Sequence, residues 1–188
     1  MDLLPEQERA LGYIRRRGTE APLAEIRSRV ADAYREIEML VAPVEAALAR
    51  RRPVPSSWSV HEIVDHLVES ERPAAWQLAQ LLAGRLVDDP IPAGLQSPQP
   101  FEVEWQTLLE RFRGAHERIL ELLGSASDDL SLTPTAPVEL VVKCASPDGT
   151  LRPVHWFERL DWKAYAVVIP MHNREHVGQI QRALESIG

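Results

Sequence analysis

Near the carboxyl end the sequence reads MHNREHVGQIQRAL, with His172 and His176 four residues apart and Gln179 three further on. On a helix turning about 100° per residue, His176 falls about 40° from His172, and Tyr165, Ile169, Ile180 and Ala183 fall within about 80° of it. Gln179 lies about 20° to the other side. Both imidazoles therefore share the apolar stripe, and a buried imidazole must find a partner. Four-residue spacing lets two rings from one helix converge on one ion. The chemistry this suggests is metal ligation.

A third ligand would come from a facing helix, and four histidines are available: His61, His66, His116 and His155. His61 falls in the first turn of its helix, pointing away from the apolar side, and reads as solvated. His66 sits at the edge of the apolar stripe, one turn after Ile63 and beside Leu67. His116 lies inside the stripe of another helix, one turn after Phe112, so wheel geometry favours it; it also reads as a core histidine bonded to a neighbour. His155 falls in a strand pattern and reads as structural or exposed. The wheel alone leaves His66 and His116 both open.

The elements that carry these residues are mainly helical. Apolar residues at helical spacing run from Pro22 to Arg51, with Pro43 expected to kink the helix or end it early. A second helix runs from Ser59 to about Gly84, where Ser59 and Glu62 form a capping box and Trp58 and Ile63 a hydrophobic staple. The segment Asp88–Pro100 holds four of the fifteen prolines and breaks any helix. It reads as a connector, long enough to cover one end of a bundle. A third helix spans Phe101 to Leu123. Then VELVVKC and TLRPVHWF, flanking Ser146-Pro147-Asp148-Gly149, predict a β-hairpin, with Pro153 marking an edge strand. The last helix runs from Asp161 to Ile187, with a kink expected at Pro170. The fold class is all-α, a helical bundle with a small hairpin before the last helix. Residues 1–20 read as an extension of one domain spanning 1–188.

Composition narrows the function. With 45% apolar and 26% charged residues, the 188-residue chain is globular and can bury one sizeable core. A formal charge of −7 argues against nucleic acid, whose phosphates need clustered Lys and Arg. The one basic run, Arg50–Arg52, ends a helix, where positive charge suits the carbonyl end. No run approaches the length of a membrane span, and MDLLPEQERALGYIRRRG is broken by Pro5 and charges, unlike a signal peptide. A single cysteine, Cys144, forms no intramolecular disulfide and reads as a small apolar strand residue. A soluble cytoplasmic protein is expected.

The stretch WSVHEIVDHL, residues 58–67, taken with His172-x-x-x-His176-x-x-Gln179, resembles the DinB/YfiT-like family of metalloenzymes. The resemblance covers most of the chain in helix order, and its specificity rests on these two stretches. It implies an up-down-down-up four-helix bundle with a three-histidine site of His66, His172 and His176. It implies a divalent transition metal (Zn, Ni, Mn or Fe) and a small-molecule substrate. Some relatives are similar to S-transferases that use bacillithiol, mycothiol or glutathione, so a thiol-dependent S-transferase is the first expectation. A metal-dependent hydrolase, or a non-catalytic stress-response module with a structural site, is the alternative. Three neutral imidazoles leave coordination positions open for water or substrate, as catalytic sites do. Glu69, Glu71 and Glu175, each within about a turn of a proposed ligand, are candidates for a general base or for supporting the ligands. Gln179 can bond a ligand ring. Two departures stand out: Glu175 occupies a position where many relatives carry a further histidine, and the hairpin is longer than expected. Amphipathic faces and five tryptophans also make a homodimer an expectation.

Overall fold

The computed structural model describes residues 3–146 and 149–188, so the Pro147-Asp148 pair of the expected turn lies outside the described residues. In chain order the elements are α1 (Pro5–Glu20), α2 (Leu23–Val41), a short α3 (Ala46–Ala49), α4 (Val60–Leu82), α5 (Trp105–Ser125), β1 (Thr135–Ala145), β2 (Leu151–Asp161) and α6 (Trp162–Ile187). A single 3-10 turn, Pro100–Glu102, precedes α5.

Four long helices pack in a ring: α2 against α5 and α6, and α4 against the same two. α2 ends two residues before Pro43, as the missing N–H and ring clash of proline require. α4 starts where its signals lie. Ser59 Oγ accepts from the Glu62 amide at 3.2 Å, and Glu62 Oε2 accepts from the Ser59 amide at 2.9 Å. α6 follows β2 without a loop, because Asp161 caps it by accepting from the amides of Lys163 and Ala164. It runs through Pro170 as one helix.

Within the amino-terminal extension, Pro5–Glu20 form the helix α1. α1 lays Leu11, Ile14 and Gly18 against α6. Gly18 permits the crossing: a Cβ there would stand 2.8 Å from Ala164 Cα. The hairpin pairs antiparallel from Thr135↔Asp161 to Ala145↔Leu151. One face turns Ala136, Leu140, Cys144 and Leu160 inward.

The core divides along the bundle. One apolar cluster gathers Val30, Leu78, Ile119, Trp162 and Ile169; the other gathers Ile37, Ile63, Leu67, Phe112 and Ile180. On every long helix the sequence passes from one cluster to the other. The positions between them include Glu71 on α4, His116 on α5, and His172, Asn173 and His176 on α6. A polar layer thus crosses the bundle between two apolar halves. No helix among the described residues is long and apolar enough to cross a membrane.

Candidate metal centre

The capping box fixes the first turn of α4, and His66 follows one turn after Ile63, with the Trp58 ring 5.1 Å from its own. From α6, His172 and His176 reach toward it. His66 Nε2 lies 3.3 Å from His172 Nε2, and His176 Nε2 lies 3.1 Å from the same atom. One ligating atom from each ring falls within 4.8 Å of the other two. The structure therefore brings together the three residues that the resemblance implied. His116, which the wheel favoured, is elsewhere in the polar layer.

The outer ring nitrogens decide what the inner ones present. His66 Nδ1 donates to the Leu95 carbonyl at 2.7 Å, and His176 Nδ1 donates to Gln179 Oε1 at 2.8 Å. With Nδ1 protonated, each neutral ring turns a bare Nε2 lone pair inward. His172 Nε2 faces both, and its one proton could satisfy only one of them. Three converging nitrogens with at least two bare lone pairs fit a cation between them. The two spacings to His172 Nε2 are close to the ~3.3 Å edge of a tetrahedral set with ~2.0–2.1 Å bonds. Burial keeps the rings neutral, as ligation needs: it lowers His66, holds His172 well below the ordinary histidine range, and pulls His176 down to about 4.

The Asp88–Pro100 connector is built onto this site. Asp65 accepts from the amide and hydroxyl of Ser97 at 2.9 and 2.7 Å, and Gln96 donates to the Glu62 carbonyl at 3.0 Å. These contacts hold the Leu95 carbonyl against His66. Ile91–Gly94 then wall one side of a cavity of about 360 Å3 that opens on all three histidines. The hairpin walls another side with Val138, Glu139, Val141 and His155.

Glu71 lines the same cavity, 3% exposed, and neither carboxyl oxygen has a hydrogen bond of ordinary geometry. Burial holds it well above the usual carboxylate range, with Asn173 offsetting this in part. His116 Nε2 stands 3.4 Å from Glu71 Oε2, but burial pulls this histidine down to about 3, so the contact is between neutral groups. His116 stacks on Tyr34 with ring centroids 3.5 Å apart. It is a core histidine, though without the hydrogen bond expected of one.

The other candidates sort as follows. His61 is fully buried, contrary to the solvated reading: its Nε2 donates to the Pro100 carbonyl at 2.9 Å, between Phe101 and Trp105. The wheel placed it off the α4 stripe correctly but could not foresee that the connector covers that side. His155 is half-exposed and bonds Glu139 at 2.9 Å. Glu69 pairs with Arg72, away from the cavity lining, while Glu175 lines it. Cys144 is buried on β1, and burial with the Glu6 carboxylate beside it raises its thiol pKa. Reasoning from sequence missed the Leu95 carbonyl, whose backbone atom leaves no signature, and Asn173, whose only signal was a polar residue beside His172.

Among curated proteins, none matches this sequence. Among solved structures, the chain is similar to YfiT from Bacillus subtilis, described as a probable metal-dependent hydrolase with an unusual four-helix bundle topology. The identity is 13% and the TM-score 0.63, over 86% of this chain and 85% of that one. At that identity the likeness speaks for the fold. The family model of the DinB superfamily matches residues 29–180, which contain α4, α5, the hairpin and all three clustered histidines, and the chain belongs to that superfamily.

Proposed function

We propose that this protein is a metal-dependent enzyme acting on a small molecule, with His66, His172 and His176 holding one divalent transition ion. The observation that carries the reading is the pair of anchored Nδ1 donors, which leaves bare Nε2 lone pairs converging beside an open cavity. Nitrogen donors suit Zn, Ni, Mn or Fe. When bound, such an ion supplies Lewis-acid chemistry, activating a water or holding a thiolate as nucleophile. The chain's own residues do the rest. Ile119, Val168 and Ile169 give the cavity an apolar wall for the body of the substrate. Glu71, held neutral by burial beside Asn173 and His116, can give a proton to a leaving group and take one back.

Hydrolysis and thiol-dependent S-transfer share this site and differ in the nucleophile. Glu71 favours hydrolysis, which needs a proton donor to the leaving group. S-transfer is the second reading, supported by a cavity large enough for a thiol beside its acceptor. α2 and α6 pass from the first apolar cluster to the second while α4 and α5 pass the other way, which supports the up-down-down-up order, and one domain over 1–188 is part of the same reading.

Reconstituted protein should bind about one equivalent of metal, and His172→Ala should lose most of it while staying folded. Less than about 0.1 equivalent after reconstitution would sink the proposal. Turnover of ester or amide substrates without thiol supports hydrolysis; turnover of an electrophile only with thiol supports S-transfer. Full metal occupancy with no turnover in either panel would leave a structural site.

A further inference from the structure

We infer that the substrate of this cavity has a small metal-binding group at one end and an apolar body that is neutral or cationic, never anionic. The inference rests on the metal reading above and specifies the molecule. Among the described residues that line the cavity, the acidic side chains are Glu139, Glu175 and Glu71, the last held neutral by burial, and no Lys or Arg lines it. The remaining lining is mostly apolar, contributed by α5, α6, the connector and the hairpin.

Place matters as much as sign. Glu139 lies on β1 at the hairpin wall, held by His155, and Glu175 sits between the two α6 ligands. A molecule with its reacting end at the three histidines and its body along the apolar walls would carry its far end toward Glu139. An ammonium there gains a carboxylate partner, a neutral body loses nothing, and a carboxylate would stand beside like charge, with His155 already bonded to Glu139. The nearby basic residues do not reverse this. Arg159 is committed to Thr135, Asp88 and the Val87 carbonyl, and Lys143, exposed two residues beyond Val141 on the same strand face, is not among the lining residues. Thiols bearing free carboxylates, glutathione among them, therefore fit poorly.

The test compares three compounds of one shape, phenylbutylamine, phenylbutanol and phenylbutyrate, titrated calorimetrically into metal-free full-length protein. Leaving the metal out removes the direct attraction of a carboxylate for the ion. The amine is expected to bind at least tenfold more tightly than the carboxylate, with the alcohol between them. In the E139Q/E175Q double variant the amine's advantage should shrink to within about threefold. Ala74→Trp, which fills the cavity from α4, should abolish binding of all three while circular dichroism stays helical. If that variant misfolds, the double variant still decides. Phenylbutyrate binding as tightly as the amine overturns the inference, as does a preference untouched by the double variant, or no binding at all. Metal content and turnover are measured separately. A loaded, active protein that prefers phenylbutyrate loses this inference and keeps the function. A protein with the expected order but no metal loses the function and the metal-binding end of the molecule, and keeps the charge preference.

Discussion

Gln179 is the residue on which the readiness of the site turns most simply. Its Oε1 accepts the Nδ1 proton of His176 and so aims the Nε2 lone pair at the other two rings. Replacing such an outer partner commonly costs about 10–100-fold in metal affinity. Gln179→Ala should weaken binding by that factor, measured by competition with a chelator of known affinity. Gln179→Glu, which keeps an acceptor, should stay within a few-fold of the parent. Equal losses in both would mean that the amide does not orient the ring. At this scale the sequence was legible where one helix carried the whole pattern: His172, His176 and Gln179 share a face, and helical periodicity alone shows it. It could not choose between His66 and His116. A wheel gives the direction of a side chain relative to its own helix, whereas the choice depends on which helix stands opposite and at what height. His116 points inward as the wheel required, but what it meets there is Tyr34 and Glu71.

Elements with local signals formed where those signals lay, and elements defined by distant partners did not announce themselves. The start of α4 and the end of α2 follow from a capping box and a proline. The connector gave only its prolines. Its course is set by Asp65 and Glu62, each more than thirty residues from its loop partner. Residues 1–20, where α1 lies, read from sequence only as an extension, with no helix assigned. The docking of that helix is testable at Gly18, where a Cβ would meet the α6 backbone at 2.8 Å. In a free helix Gly→Ala stabilises by about 1 kcal/mol. Here Gly18→Ala should instead destabilise by about 1–3 kcal/mol, the usual cost of overpacking, and lower the thermal midpoint. Gly12 is the control on the same helix: a Cβ there would meet nothing within 4 Å, and Gly12→Ala should stabilise.

Across the whole molecule, the polar layer between the two apolar halves links stability to pH in a way that its members oppose. His116 is held at about 3 in the folded chain, while an unfolded histidine takes up its proton near 6.5. Its contribution is therefore complete above about pH 6.5 and is lost as pH falls toward about 3. Glu71 behaves in the opposite sense. Its folded carboxyl stays protonated well above the ordinary range, so its contribution is complete below about pH 4 and is lost as pH rises, until the folded carboxyl ionises. The ligand histidines, all lowered by burial, add to the acid side when no metal is bound. Metal-free protein should thus lose stability on acidification below about pH 6.5, with His116 and three ligands outweighing one carboxyl. Above that pH only the Glu71 slope remains, at most about 1.4 kcal/mol per pH unit. Urea unfolding of metal-free protein from pH 5 to 8 measures both limbs. Glu71→Gln, which keeps the shape and removes the ionisation, should flatten the alkaline limb and leave the acid limb in place. An alkaline slope that survives in Glu71→Gln would assign it to another group and remove the basis for treating Glu71 as a neutral acid in the cavity.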